Sequence, residues 1–350
     1  MSLLATLAQE FRVASPNFDK FEFRIQESGI YSAFRRQTDA VSSFITPELA
    51  QRAFASMGHT TKLPVINYKD VTIRSTRPVT IAADENTSAF YTVTWTTLAY
   101  GFKMYPALFH NNDIGYQTDF NKKFQAFLVK LSSTLEGLGL TALDAAKSQV
   151  INTVTGGHTY ASNVVSETGI GNLKDSYILA DLAPMMRSNS FMTFDMDVVG
   201  NHGLDAILRR MDGFGEFNQE NKTLPYAGKN FHFSNSITNA AGKNATGFAC
   251  VDGSLGLLTR VEVDSLFNTT SETGHEWGTV TLPGLDLTVG TYSYPEVVDA
   301  STVAGAASAH LTRTKAEVFD FAVDIAFVTS YNSDLASIPS PVLKFDIDTD

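Results

Sequence analysis

The sequence predicts an α+β fold, and three observations support that class. One long amphipathic helix is predicted over 114–137, and runs with a two-residue apolar period, typical of strands, lie both before and after it. The predicted helices and strands do not alternate strictly along the chain. Because strict alternation is the mark of a doubly wound parallel sheet, its absence favours sheets and helices that are grouped separately.

Composition is that of a globular chain with much β structure. Of the 350 residues, 43% are hydrophobic and 18% charged, and the chain contains 25 Phe and 12 Tyr. It has no continuous apolar run of about 18 residues, so we expect no membrane span. Cys250 is the only cysteine, which excludes a disulfide within the chain and any site built from several cysteines.

The net charge of −11 is unevenly distributed. Residues 1–77 contain ten Lys and Arg against seven Asp and Glu, a net of +3, which leaves −14 for the remainder. An acidic chain disfavours a dedicated nucleic-acid reader, since such proteins carry basic faces. A mildly basic leading segment and an acidic body are compatible with self-association, although chance variation also produces such a difference.

The predicted helix carries apolar residues at three- and four-residue steps. They include Phe120, Phe124, Leu128, Leu131 and Leu135. Polar side chains fill the intervening positions, so one face is expected to pack on a sheet while the other meets water. Gly137 and Gly139 are predicted to end or kink this helix. Thr141 and Asp144 then have the spacing of a capping box for a short second helix.

Two strand runs, 62–82 and 89–105, flank a polar turn before the helix. The apolar face of the second run switches near Thr96 and Thr97. Either a bulge explains the switch, or the strand leaves a projecting hairpin and enters a main sheet. We interpret 60–95 as a two-stranded hairpin rich in Thr and Arg. Because a lone hairpin is marginal in water, it should pack on a neighbour, for which another subunit is a candidate.

The remaining segments have weaker sequence patterns. Residues 1–37 mix aromatic and polar groups without a clear period, as in an arm that docks elsewhere or in an α/β start. A strand is predicted over 191–199 with Asp195 and Asp197 facing water, and the segment 264–315 is predicted to be rich in loops. Long and terminal strands are expected at 316–329 and 341–350.

The sequence offers no convincing active site, cofactor site or metal site. Gly253 to Gly256 lacks the first glycine of a nucleophile elbow, because Asp252 stands there. None of the seven histidines pair at helical spacing. Asp346, Asp348 and Asp350 lie on one side of the extended tail, where they would attract a cation or simply be solvated. We therefore expect a protein that acts through its surface and not an enzyme.

The order of elements resembles the major capsid protein of tailed bacteriophages, with its Hong Kong 97-like fold. Its most similar local stretch is the strand-then-helix unit 191–218, and the likeness is one of order and pattern over nearly the whole chain. The resemblance implies five parts. They are an N-terminal arm (1–40), an E-loop hairpin (60–95), a spine helix (114–137), a peripheral domain (41–59, 96–149 and 311–350, including that helix) and an axial domain (150–310).

The same resemblance implies a function. It predicts a subunit that assembles into pentamers and hexamers of an icosahedral shell, encloses double-stranded DNA without sequence specificity, and resides in the virion after assembly in the host cytoplasm. Scaffolding, portal or decoration proteins would be separate partners, and no membrane or cofactor is implied. Two alternatives stay open: an encapsulin-like compartment with the same fold, and a β-rich carbohydrate-binding or hydrolytic protein with a site in 264–315.

Five residues are the candidates for contact between subunits. Lys69, Arg74 and Arg77 lie on the predicted hairpin, and Phe11 and Phe18 lie on the predicted arm. For each, the other interpretation is a solvated hairpin face or ordinary core packing.

Overall fold

The fold is described from a computed structural model. It describes residues 29–40, 43–56, 58, 60–66, 73–76, 88–109, 115–147, 158–167, 178–191, 195–212, 229–267, 270, 273–299, 303, 313–330 and 339–348. The chain divides into two compact units. The described parts of the first unit fall within 95–134 and 259–326, and those of the second within 29–94, 135–258 and 327–348.

The helices are α1 (Gly29–Asp39), α2 (Pro47–Ala55), α3 (Tyr116–Ala146), α4 (Ile178–Ser188), α5 (His202–Asp212) and the short α6 (Val263–Leu266), with a 3₁₀ turn at Pro106–Phe109. The strands are β1 (Thr60–Ile66), β2 (Ser88–Thr94), β3 (Thr96–Met104), β4 (His158–Ala161), β5 (Val164–Glu167), β6 (Met196–Gly200), β7 (Lys229–Phe233), β8 (Ala245–Val251), β9 (Leu255–Arg260), β10 (Glu276–Leu282), β11 (Leu287–Asp299), β12 (Arg313–Thr329) and β13 (Val342–Ile347).

The described strands form three sheets. A two-stranded sheet pairs β1 with β2, and a six-stranded sheet has the order β4-β5-β13-β8-β6-β7. The third sheet has the order β10-β11-β12-β3, and β9 also pairs with β12. Within the six-stranded sheet, β5 runs parallel to β13 and β6 parallel to β7, while the remaining pairs are antiparallel.

The core of the first unit is an aromatic layer between α3 and its sheet. Phe124 and Phe127 of the helix lie with their ring centroids 5.3 and 5.2 Å from that of Phe321 on β12. Phe120 contacts Phe319 in the same way, at 5.9 Å. The predicted apolar stripe therefore packs on a sheet, and aromatic pairs at these distances add to the area that they bury.

The prediction that the spine helix ends at Gly137 is wrong. The helix α3 continues to Ala146, and Thr141 donates its hydroxyl to the carbonyl of Gly137, four residues earlier, at 2.9 Å. Thr141 is thus inside the helix and caps nothing. Gly139 has a packing role, because a Cβ there would lie 2.6 Å from Cγ2 of Ile30 on α1. The glycine lets the two helices approach closely, which offsets its low helix propensity.

The six-stranded sheet is covered on both faces, which corrects the expected orientation of Asp197. All five residues of β6 are buried, including Asp197. The helices α4 and α5 contribute apolar side chains to the core of this unit, among them Leu182, Leu204 and Leu208. A strand buried on both faces has no wet side, so alternation of apolar and polar residues did not indicate exposure here.

Helix α1 lies in the segment predicted to be an arm without a regular period. Ile30, Tyr31, Phe34 and Gln37 of this helix are all buried in the second unit. A polar residue at the fourth of these positions interrupts the apolar stripe, which is why the sequence did not indicate a helix. The rest of the predicted arm, 1–28, lies outside the described residues.

The described part of the segment 264–315 contains a long hairpin, so the prediction of a loop-rich segment is wrong for 276–299. Strands β10 and β11 pair from Glu276–Ser293 to Leu282–Leu287. Glycines and threonines within both strands hid the alternation. Gly290 sits where a Cβ would meet Oγ of Ser265 at 3.0 Å, so its place in the strand follows from close packing.

Two of the helices begin at a side-chain cap. Thr46 accepts a hydrogen bond from the backbone N–H of Leu49 at 3.3 Å and caps α2. Asn201 accepts one from the backbone N–H of Leu204 at 3.1 Å at the start of α5. Both are short polar side chains that satisfy an unpaired N–H of the first turn.

Candidate intersubunit surface

The predicted hairpin over 60–95 is present as the pair β1–β2. The two strands are antiparallel, with Thr60 opposite Thr94 and Ile66 opposite Ser88. Among the described residues, no third strand joins this sheet. Residues 67–72 and 77–87, between the two strands, lie outside the described residues.

One face of the hairpin is packed within the second unit. Thr61, Leu63 and Val93 are buried, and the hydroxyl of Thr61 forms a hydrogen bond with Ser56, next to the end of α2. Thr61 stands opposite Val93 in the register, so these side chains share a face. The chain itself thus completes the burial of this face.

The opposite face is exposed and partly apolar. Pro64 stands opposite Phe90 in the register, and the ring of Phe90 is 69% exposed. Lys62 lies on the same face and is also exposed. Beyond the strands, Ile73 is 92% exposed, next to the exposed Arg74. Exposed aromatic, aliphatic and basic side chains within one hairpin segment have the composition of a protein-binding surface.

Of the five predicted contact residues, only Arg74 lies among the described residues. It is exposed in the bend 73–76. Phe11, Phe18, Lys69 and Arg77 lie outside the described residues, so their roles stay predictions.

Sequence reasoning missed Phe90, the largest exposed side chain in the described strands of the hairpin. The signal was present in the alternation of β2: Tyr91 and Val93 mark one face, so Phe90 falls on the otherwise polar face with Thr92 and Thr94. An aromatic residue on the polar side of a strand is a stronger sign of an interface than a basic residue, because charged side chains are usual there.

The apolar face switches near Thr96 because the chain leaves the hairpin there and enters a larger sheet. A bulge, the other explanation considered, is not needed. Strand β2 of the two-stranded sheet ends at Thr94, and β3 of the larger sheet begins at Thr96. Trp95 between them is buried, with the guanidinium of Arg260 lying 4.4 Å from its ring centroid. Arg260 in turn donates to Asp324 at 2.8 Å. A cation–π contact and an ion pair therefore fix the point where the chain leaves the hairpin.

A buried polar cluster surrounds Asp197 in the second unit. Its carboxylate is fully buried and contacts the Arg36 guanidinium, Nε2 of Gln37 at 2.8 Å and Nε2 of His232 at 3.3 Å. Burial, with a smaller effect of the Asp197 charge, raises the pKa of the nearby Cys250 thiol well above its usual value. Since both carboxylate oxygens already have donors, this cluster connects α1 to the sheet and is not a pair of catalytic carboxylates.

Asp346 and Asp348 are likewise structural, which corrects their interpretation as part of a solvated tail. Asp346 is buried and accepts a hydrogen bond from the hydroxyl of Thr246 at 2.5 Å. Asp348 pairs with Lys243 at 2.9 Å. Within the described part of the chain, no group of three or more His, Cys, Asp or Glu side chains is arranged to hold a metal ion.

A cavity of about 480 Å³ lies between the end of α3 and the six-stranded sheet. Asp144 and Lys344 line it and form an ion pair of 2.9 Å. Burial disfavours the charged form of Asp144, but its hydrogen bonds with Lys344 and Lys147 outweigh that effect and lower the pKa of its carboxyl. The two charges in this cavity thus neutralise each other.

Among the described helices, only α3 is long and apolar enough to span a membrane by length and composition. Phe120 and Phe124 of this helix are fully buried against the first unit's sheet, and Leu135 and Leu143, in the second unit, are fully buried as well. A core helix of a globular domain meets the same criteria.

Comparison with known proteins identifies the fold. No family model and no curated protein sequence matches the chain. The capsid of Ralstonia phage GP4 matches with a TM-score of 0.50 and 8% identity, covering 97% of this chain and 94% of that chain. The mature capsid of bacteriophage PhiM1 matches with a TM-score of 0.45 and 9% identity, covering 89% of each chain. A structure from Mycobacterium phage Bobi has a TM-score of 0.46 and 12% identity, covering 99% of this chain and 97% of that chain.

The likeness to the GP4 structure shows the fold. The chain is an α+β protein with the Hong Kong 97-like fold of phage capsid structures, as the order of its elements predicted.

Proposed function

We propose that this chain is the major capsid protein of a tailed phage. Copies would assemble into the pentamers and hexamers of an icosahedral shell that encloses double-stranded DNA. The subunit would be structural and not an enzyme. The fold supports this role, but the observation that carries it is the hairpin β1–β2, whose outer face leaves Phe90 largely exposed.

The exposed face explains why copies would associate. A two-stranded hairpin gains little stability by itself, and an exposed ring such as that of Phe90 gains stability only when another surface covers it. In a shell, each copy presents the hairpin and receives the hairpin of a neighbour. Such head-to-tail contacts close into rings when the rotation between copies is right. Because the contact repeats many times, each one can be weak.

The predicted contact residues fit this arrangement as basic and aromatic anchors. Arg74 is exposed on the hairpin together with Lys62. Lys69 and Arg77 would extend the same basic character, and Phe11 and Phe18 would anchor the arm on a neighbouring copy.

The charge of the chain suits a container. With a net charge of −11, most of the subunit surface would repel DNA, so the packaged DNA would be held by enclosure and without sequence specificity. Scaffolding, portal and decoration functions would come from separate proteins. Assembly would take place in the host cytoplasm, and the finished protein would reside in the virion.

Size-exclusion chromatography and negative-stain electron microscopy of the purified full-length chain test this proposal. We expect closed shells, or rings of five and six copies, in equilibrium with free subunits. A chain that stays monomeric at all concentrations and salt conditions would overturn it. Particles isolated from infected cells should in addition contain nuclease-protected double-stranded DNA, whereas an encapsulin-like compartment would contain protein cargo instead.

A further inference from the structure

The sheet of the first unit has two faces of different character. Phe319 and Phe321 of β12 face α3 and form the core. Val318 and Asp320 alternate with them and therefore belong to the other face, which we call the outer face. The register places Tyr292 opposite Asp320, and Trp277 opposite Tyr292, so these residues share the outer face.

Four rings form a cluster on the outer face, which we call the aromatic quartet: His275, Trp277, Tyr292 and Tyr294. The centroids of Trp277 and Tyr292 are 4.9 Å apart, and those of His275 and Tyr294 are 5.1 Å apart. Nδ1 of His275 and the hydroxyl of Tyr292 form a hydrogen bond of 2.6 Å. All four side chains are only half-buried. The rings thus pack on one another, and part of the surface of each ring is accessible to another molecule.

Helix α6 lies beside the quartet on the same face. A Cβ at Gly290, which shares the outer face with Tyr292, would meet Oγ of Ser265 on α6 at 3.0 Å. Leu266 ends α6, and the next residue, Phe267, is 73% exposed. Trp and Tyr dominate the binding energy of protein interfaces. The quartet and Phe267 together therefore have the composition of such an interface.

The surroundings of this surface are acidic. Glu262 and Asp264 are exposed on and beside α6. Asp320 lies across from Tyr292, and its partial burial raises the pKa of its carboxyl. Glu296 also lies on the outer face, where it pairs with Lys103. Of these five described residues, four carry carboxylates and one, Lys103, carries an amine, so together they are acidic.

The hairpin β1–β2 has the complementary character. Its exposed face offers Phe90 and Pro64 as apolar groups and Lys62 as a basic group. The bend 73–76, between the two strands in the chain, adds the exposed Ile73 and Arg74. An apolar patch with basic groups thus exists on the same chain as an aromatic patch with acidic groups. Opposite charges across an interface guide association and fix its orientation.

We propose that the aromatic quartet, with α6 and Phe267, is the docking surface for the hairpin of a second copy of this chain. The inference rests on the proposed function, because it specifies where on a neighbour the hairpin binds. Phe90 and Ile73 would pack on the rings and on Phe267. Lys62 and Arg74 would face Glu262 and Asp264.

Cross-linking between two kinds of copy tests this contact directly. The native Cys250 is fully buried, so an introduced exposed cysteine is the reactive thiol in each variant. Copies with Thr92→Cys, an exposed position on the same face of the hairpin as Phe90, are mixed with copies with Phe267→Cys, allowed to assemble, and treated with a short bis-maleimide. We expect a cross-linked dimer on a denaturing gel from the mixture, at least about tenfold above that from either variant alone.

A matched control uses Val297→Cys in place of Phe267→Cys. Val297 is 69% exposed, on the same sheet, but it alternates with Glu296 and so belongs to the other face. If the mixed copies form particles and Thr92→Cys couples to Val297→Cys as well as it does to Phe267→Cys, the docking surface is wrong while the capsid function stands. If no particles form from the unmodified chain, the proposed function itself fails.

Charge exchange gives an independent test. Lys62→Glu combined with Arg74→Glu should raise the concentration needed for assembly by about tenfold, which corresponds to about 1.4 kcal/mol. Adding Glu262→Lys and Asp264→Lys to the same chain should restore assembly. If this four-residue variant assembles no better than the two-residue variant, these charges do not face each other and the proposal is overturned.

Discussion

Two sheets of the second unit, the hairpin β1–β2 and the six-stranded sheet, complete their burial in different ways. Every residue of β6 is buried by its neighbouring strands and helices. In β2, the burial alternates, and only Val93 is fully buried. The side chains of a strand inside a large sheet are buried by the rest of the same chain, whereas the hairpin has buried side chains on one face only. The difference separates the part of the molecule that maintains the fold from the part that we propose connects copies.

Polar groups show the same contrast. Asp197 of β6 has partners from α1 and β7, so its charge is compensated inside the unit. The basic groups of the hairpin, Lys62 and Arg74, are exposed to solvent. Buried charges need exact partners in the same chain, while exposed charges remain available for another molecule. The predictions below test this distinction at single residues.

The largest effect is expected for Arg36→Ala. Removing the guanidinium leaves the fully buried Asp197 carboxylate with only neutral or weak donors, which should lower the free energy of unfolding by about 3 kcal/mol. Urea unfolding of the unassembled chain measures this change in the free energy of unfolding. Arg209→Ala is the control, because its side chain is 66% exposed and its ion pair with Asp205 lies on the surface of one helix. The control should cost less than about 0.5 kcal/mol, and equal effects of the two variants would refute the proposed role of the cluster.

An intermediate effect is expected for Glu136→Gln. The buried carboxylate of Glu136 accepts hydrogen bonds from the backbone N–H groups of Ile30 and Tyr31, at 3.0 and 2.9 Å, and so caps α1. An amide presents an NH₂ group to one of these donors and loses the charge that favours a helix N-terminus, at a cost of about 1–2 kcal/mol. Hydrogen exchange of the α1 amides should speed up accordingly.

The control for this change is Asp39→Asn, an exposed carboxylate at the other end of the same helix. There a negative charge does not favour the helix, so its loss should change stability by less than about 0.5 kcal/mol. If both variants exchange at the wild-type rate, α1 is not held by Glu136.

The sequence was sufficient for the elements that follow local rules. The apolar stripe of α3 and the paired strands of 60–95 were both predicted, because the period of the apolar residues decides them. The fold class followed from their order. Local patterns failed where packing between distant segments decides the structure.

Three misreadings have this one cause. Gly139 lies within a helix because Ile30, more than one hundred residues earlier, packs against it. Asp197 is buried because α1 covers it, and Gln37 is buried because it reaches both Asp197 and the backbone N–H of Leu255 at 2.9 Å. No local signal reveals such a partner. For the candidate surface, the basic residues were predicted from the sequence of the hairpin. The aromatic residue Phe90 was recognised only from the register of the two strands, which places it on the exposed face.

The smallest effect on stability is expected for Phe90→Thr, and it tests the comparison most directly. Since the ring is 69% exposed and Thr favours a strand, the free energy of unfolding of the unassembled chain should change by less than about 0.5 kcal/mol. On the same strand, Val93→Thr places a hydroxyl in a buried site and should cost about 1–3 kcal/mol. Assembly should show the reverse order, with Phe90→Thr the more damaging at matched folded concentration. A loss of stability in Phe90→Thr as large as that in Val93→Thr would mean that the chain itself covers both faces of the hairpin, and the distinction between the two sheets would disappear.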